Sequence, residues 1–174
     1  DNDAVAHSYN NMAAVYCAKY DYAKAKELYT KAVTIEKRNL DECHLDVSRS
    51  YENIGNACFE QGDYEKAMDY FEESLIIKLQ LLGESHVDVA DLYDNIGHVC
   101  RADGDYDKAL ECLTKSLSIR LNKLHENHPD VAHSYNNIGN VYQTKGHNDR
   151  ALDYYSKSLA NRLNTLGENP HDLA

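Results

Sequence analysis

The chain has 174 residues, with 29 acidic against 18 basic side chains and a net charge of −11 at neutral pH. That balance argues against nucleic acid and against anionic membrane surfaces, since both reward lysine and arginine patches that neutralise phosphate. The richest apolar run, Leu75–Leu82, is broken by Lys78 and Gln80 and is far shorter than the roughly 18 residues of a membrane span; no membrane contact is expected, and the first residues given show no signal-peptide pattern.

Taken in order, the chain repeats itself every 42 residues. Tyr9, Tyr51, Tyr93 and Tyr135 are one position seen four times, as are Ala25, Ala67, Ala109 and Ala151. The periods are approximately 4–45, 46–87, 88–129 and 130–171, with 172–174 opening a fifth. A fixed period of this size marks a solenoid in which each unit contacts its neighbours, so 1–174 reads as a single array. Each period predicts two helices, A and B, joined by short connections that make successive helices antiparallel neighbours. In the first period Tyr20 stands where Gly62, Gly104 and Gly146 end helix A in the others, so that turn must form without the residue that most easily adopts a left-handed conformation. In the second period helix B spans roughly Tyr64–Leu82, with Tyr64, Ala67, Phe71, Ser74, Leu75, the stem of Lys78 and Leu82 on one stripe. In the third it spans Tyr106–Leu124. In the fourth, helix A runs over Val131–Lys145, its stripe being Val131, Tyr135, Ile138 and Tyr142 at helical spacing, and helix B over Asn148–Leu166. His128-Pro129-Asp130 opens that helix A, with proline in the first turn and aspartate at the positive end of the dipole.

Gly55, Gly97 and Gly139 lie inside helix A, where glycine costs about 1 kcal/mol against alanine; a close crossing with helix B is the expected reason. Ala13 holds that position in the first period, which implies that a methyl group fits there. The five cysteines show no C-x-x-C pairing, and Cys58 and Cys100 share a position occupied by Tyr16 and Tyr142 elsewhere. They read as core residues in a reducing, cytoplasmic setting rather than as a disulfide framework.

Counting Ala132 as the first position of a unit, Tyr135, Ile138-Gly139, Tyr142, Gly146, Ala151, Tyr155 and Ser158 fall where the tetratricopeptide repeat places its large, Leu-Gly, Tyr, Gly, Ala, aromatic and small residues. The chain resembles that family throughout. Eight residues beyond the ordinary 34, a long helix B, and the joints Leu82-Gly83-Glu84-Ser85-His86-Val87-Asp88 and Leu124-His125-Glu126-Asn127-His128-Pro129-Asp130 are similar to the longer repeat of kinesin light chains. The resemblance implies an all-α fold, a right-handed solenoid of antiparallel helix pairs. It also implies a protein-interaction module that binds an extended peptide on a groove lined by A helices.

Helical spacing sets the groove face beside the core stripe: His133, Asn136, Asn137, Asn140, Gln143 and Thr144, with their equivalents one, two and three periods earlier. Eight of the sixteen asparagines in the chain fall on it, although asparagine is a poor helix former. Asn11, Asn53, Asn95 and Asn137, joined by Asn56 and Asn140, read as amides able to bracket the N–H and C=O groups of an extended backbone; the resemblance assigns an asparagine at this position that role. The alternative is a structural amide bonding a neighbouring helix. The face also carries Arg49, Arg101, His98 and Phe59. Its charges, Arg49 and Arg101 against Glu52, Glu60, Asp91 and Asp94, leave two negative charges in excess. That departs from the lysine-rich clamp of chaperone-binding relatives and from the basic grooves of kinesin light chains. It points to an extended ligand, neutral to basic, with an apolar anchor near Phe59.

His44, His86 and His128 recur one period apart, too far to share an ion whose ligands stand about 2 Å away, so a helix-starting role is expected of them and no metal or cofactor. No G-x-S-x-G, H-E-x-x-H or phosphate-binding loop occurs, and no enzymatic activity is expected. A structural array that associates end to end, with an empty groove, is the other reading. The start of a fifth helix A at Pro170-His171-Asp172 fits either a segment of a longer array or a chain that stacks on itself.

Overall fold

The computed structural model describes residues 2–39 and 44–166. Cys43 and the expected start of a fifth period at 172–174 lie outside them. The described residues form eight helices: α1 (Asn2–Ala18), α2 (Tyr22–Asn39), α3 (Leu45–Glu60), α4 (Tyr64–Leu82), α5 (Val87–Asp103), α6 (Tyr106–Lys123), α7 (Pro129–Thr144) and α8 (Asn148–Leu166). Odd-numbered helices are the A helices of the sequence periods and even-numbered ones the B helices. The chain divides into two compact units, Asp1–Glu84 and Ser85–Ala174. In the first, α1 packs on α2, α2 on α3 and α3 on α4; in the second, α5 packs on α6, α6 on α7 and α7 on α8. None of the described helices is long and apolar enough to cross a membrane.

Both ends of the helices are set by local chemistry. A helices begin at a histidine cap: Nδ1 of His44, His86 and His128 accepts the backbone N–H of Asp46, Asp88 and Asp130 at 3.2, 3.1 and 3.2 Å. This satisfies one of the donors that a helix N-terminus leaves without an intrahelical partner. B helices begin at aspartate: Asp21, Asp63 and Asp105 accept from the N–H of Lys24, Lys66 and Lys108. Three A helices turn into their B helix through a glycine with positive φ, at 77° for Gly62, 92° for Gly104 and 77° for Gly146.

Tyr20 does the same work at φ 61°, with its side chain 80% exposed and in only an edge contact with Tyr22 at 6.3 Å. A side chain in this conformation costs roughly 1–2 kcal/mol. Tyr20→Gly is therefore expected to stabilise the first unit by about 1 kcal/mol, read as a higher midpoint in urea unfolding; a lower midpoint would show that the ring contributes more than the turn costs.

The core of each unit is the seam between paired helices. Ala25, Ala67 and Ala109 are fully buried and Ala151 nearly so, letting helix A approach closely. The mid-helix glycines sit at those crossings. A methyl group on Gly55 would stand 2.8 Å from the ring of Phe71, on Gly97 2.7 Å from Cγ of Leu113, and on Gly139 2.6 Å from the ring of Tyr155. In α1 the same position is Ala13, itself fully buried, so there the methyl is accommodated. Cys58, Cys100 and Cys112 are buried and free. Burial pushes all three thiols up, Cys100 to about 11, so they pack as neutral small side chains.

Candidate functional site

Each unit presents the flanks of two A helices, α1 and α3 in the first and α5 and α7 in the second. One turn of helix separates side chains that serve the fold from side chains left over. The position held by Asn10, Glu52 and Asp94 is turned toward helix B, 26 residues on. Asn10 donates to Glu36 at 3.1 Å and to the hydroxyl of Ser50 at 3.3 Å, joining α1, α2 and α3. Glu52 pairs with Lys78 at 2.9 Å. Asp94 pairs with Arg120 at 2.6 Å, and Arg120 also reaches Asp91 and the hydroxyl of Ser134, each at 2.6 Å, joining α5, α6 and α7. Three of the four acids counted on the groove face are thus spent on helix-B cations. With Lys78 and Arg120 included, the excess of two negative charges disappears. The missed signal was in the sequence: an acid on helix A followed 26 residues later by a cation on helix B, twice.

The next residue along helix A is the asparagine ladder. Among the described residues, the side-chain amides of Asn11, Asn53, Asn95 and Asn137 make no hydrogen bond, and Nδ2 of Asn137 is buried without a partner. Asn11 is exposed, Asn53 and Asn95 are half-buried, and Asn137 is 3% exposed, which leaves little of it for a ligand to touch. Asn56 is exposed. Asn140 is half-buried and its Oδ1 accepts the hydroxyl of Tyr155 at 2.9 Å.

The remaining candidates are partly engaged. Arg49 is exposed and bonded to Asp46 at 2.5 Å. Phe59 is half-buried with its ring 5.7 Å from that of Tyr64 at the start of α4. Arg101 is half-buried, with a buried Nε that has no partner among the described residues. His98 is half-buried; burial lowers its pKa, Arg101 and His133 push the same way, and Asp94 opposes. It therefore stands as a neutral imidazole at pH 7, able to donate and accept. His44, His86 and His128 spend Nδ1 on helix caps, and among the described residues no cluster of three or more His, Cys, Asp or Glu is placed to hold a metal ion.

The sequence pattern of the tetratricopeptide repeat matches residues 4–80 and 88–164, two helix pairs in each stretch. The chain belongs to the tetratricopeptide repeat family. No curated protein matches it. Among solved structures it is similar to BtubC (BKLC) from P. vanneervenii, at 28% identity and a TM-score of 0.87, over 98% of this chain and 68% of that one. It is also similar to a Podosopora anserina putative kinesin light chain with nearly identical TPR-like repeats, at 22% identity and a TM-score of 0.78, over 92% of this chain and 76% of that one. The apo form of RapI matches at 21% identity and a TM-score of 0.77, over 91% of this chain and 42% of that one. The last two likenesses concern the fold alone. The 42-residue period and long helix B of this tetratricopeptide repeat chain are of the kinesin-light-chain kind, and its architecture is that of a protein-interaction scaffold.

Proposed function

We propose that in each unit the A-helix faces bind an extended protein segment by its backbone, through Asn11, Asn53 and Asn56 in the first unit and through Asn95, His98 and Asn140 in the second. The observation that carries this reading is the unspent amide ladder. A structural amide bonds its neighbours, as Asn10 does; the four ladder amides bond nothing among the described residues. Within a unit, helices of such a stack pack about 10 Å apart, a spacing over which an extended strand can present a polar group to an amide. Arg49, Glu52, Asp91 and Asp94 are already paired, so the ligand is recognised by its peptide groups more than by its charge. The exposed part of Phe59 supplies an apolar contact on the first face, and Arg101 a cation on the second.

The test uses linear peptides selected from a random display library against the intact chain. Asn53→Ala in the first unit or Asn95→Ala in the second, whichever holds the selected peptide, is expected to weaken it by about 1–3 kcal/mol while the melting temperature holds. Asn137→Ala is expected to change affinity least. Affinity should vary little with salt, because few unpaired charges are involved. Unchanged affinity with an earlier melt would make the ladder structural. A phosphorylated or strongly acidic peptide outcompeting a neutral or basic one at low salt would overturn the ligand class.

A further inference from the structure

The second and third periods each close their helix pair with an ion pair: Glu52 of α3 with Lys78 of α4 at 2.9 Å, and Asp94 of α5 with Arg120 of α6 at 2.6 Å. The first period fills the same two positions with Asn10 and Glu36. An acid therefore stands on helix B where the next two periods carry a cation, and helix A supplies a neutral amide in place of the acid. Glu36 is nevertheless only 5% exposed, as deep as Arg120 at 4%. Its Oε1 accepts from Nδ2 of Asn10 at 3.1 Å, and the same amide nitrogen donates to the hydroxyl of Ser50 on α3 at 3.3 Å.

That leaves Oε2 of Glu36 and Oδ1 of Asn10 buried without a partner. Among the described residues of the first unit, every buried side-chain polar atom in that condition is one of these two oxygens. Both are acceptors, one belongs to a carboxylate, and a carboxylate taken out of water is costly until a cation or several donors compensate it. The cations on neighbouring turns are directed elsewhere: Lys37 lies 3.2 Å from the hydroxyl of Tyr51, and Arg49 is bonded to Asp46. The junction thus has the burial and the acid of its counterparts, and lacks the positive charge.

We propose that the missing cation comes from the partner: Glu36 and Asn10 receive the ammonium or guanidinium group of a lysine or arginine carried by the protein segment bound on the first unit. This inference rests on the amide-ladder reading above and gives it a side-chain specificity. Asn10 precedes Asn11 of the ladder and is half-buried, so it is the member of the junction that solvent reaches. The incoming cation enters beside it and bonds Oε2 of Glu36 and Oδ1 of Asn10, the place that Lys78 and Arg120 fill from within the chain. Lysine and arginine suit this on two counts. Their heads are pure donors, with three and five N–H groups, and their apolar stems can cross a buried flank while carrying the charge inward. A pair buried in this way is little screened by salt.

The test pans a random linear peptide library on the full chain carrying Asn95→Ala, which removes the ladder amide of the second unit so that capture falls on the first. Captured peptides should carry lysine or arginine at one fixed register. Replacing that residue by norleucine should weaken binding about tenfold or more. Against Glu36→Gln, which keeps the side chain's shape and removes its charge, the same replacement should change affinity by less than about twofold, with an unchanged helical circular-dichroism spectrum confirming the fold. Asn10→Lys, which supplies a cation from α1, should likewise erase the preference by occupying Glu36. Peptides that depend on Asn53 but show no basic residue at a fixed register overturn this inference and leave the amide reading standing, as does a preference that survives both Glu36→Gln and Asn10→Lys. A chain that captures no peptide, or whose captured peptides are indifferent to Asn53→Ala, overturns the amide reading and this inference with it.

Discussion

Arg120→Ala is expected to remove about 3–5 kcal/mol from the stability of the second unit, the usual result of taking one partner from a buried ion pair. Arg120 is 4% exposed and Asp94 5%. The guanidinium donates to Asp94, Asp91 and Ser134, so a single side chain ties α6 to the helices before and after it. Alanine leaves the Asp94 carboxylate buried without its cation, and that desolvated charge carries most of the cost. The double change Arg120→Met with Asp94→Leu removes both charges while keeping apolar volume. It should recover most of the loss, because replacing a whole buried pair by packed apolar side chains is commonly neutral or better. Urea unfolding of the parent, both single variants and the double variant closes the cycle. The weakened second unit should also exchange its amide hydrogens sooner than in the parent. An Arg120→Ala variant within about 1 kcal/mol of the parent would mean that water reaches Asp94, and that the junction is not sealed as its burial implies.

Gly97→Ala should destabilise by about 1–2 kcal/mol. Two effects oppose. Alanine is the better helix former by about 1 kcal/mol, but its methyl group would lie 2.7 Å from Cγ of Leu113 and 2.9 Å from one of its methyl groups. Cγ is the branch point of a side chain only 1% exposed, so it cannot swing aside without moving α6. Overpacking of this kind costs roughly 1–3 kcal/mol and outweighs the propensity. Ala13→Gly, at the same position in α1, should also destabilise, by about 1 kcal/mol, since the methyl group there is tolerated and only helix propensity is lost. The pairing of Gly97→Ala with Leu113→Ala should lose less than the sum of the two single losses, as one methyl group moves into space vacated by the other. Thermal and urea midpoints of the four proteins check this, and strict additivity would show that the crossing relaxes freely.

Several features were legible before any coordinates. The four Tyr and four Ala positions at a common spacing specified paired helices, because a fixed period in sequence forces a fixed period in packing. Helix ends fell within about two residues of their expected places, since Gly62, Gly104 and Gly146 stop a helix by backbone conformation alone. The capping histidines and the buried Cys58 and Cys100 were also readable, each from local chemistry. The glycines inside helix A pointed to a close crossing, although not to which ring or branch they would meet.

The polar flank was less readable. Adjacent residues on a helix diverge by about 100°, so Asn10, Glu52 and Asp94 look toward helix B, whereas Asn11, Asn53 and Asn95 point elsewhere. A count of charges on helix A treated Glu52, Asp91 and Asp94 as open to a ligand. Lys78 and Arg120, on other helices, claim them. Asn137 likewise shares its sequence position with the exposed Asn11, yet neighbouring packing buries it.

What the sequence by itself determined is the repeating helical scaffold and the family to which it belongs: hydrophobic spacing and turn residues act within one period and need no knowledge of what lies across it. What only the tertiary structure decided is which polar groups are spent and which remain. Hydrogen bonds and ion pairs are made at about 3 Å between residues of different helices 10 to 40 positions apart, and a rotation of one helix by a single residue's angle reassigns them.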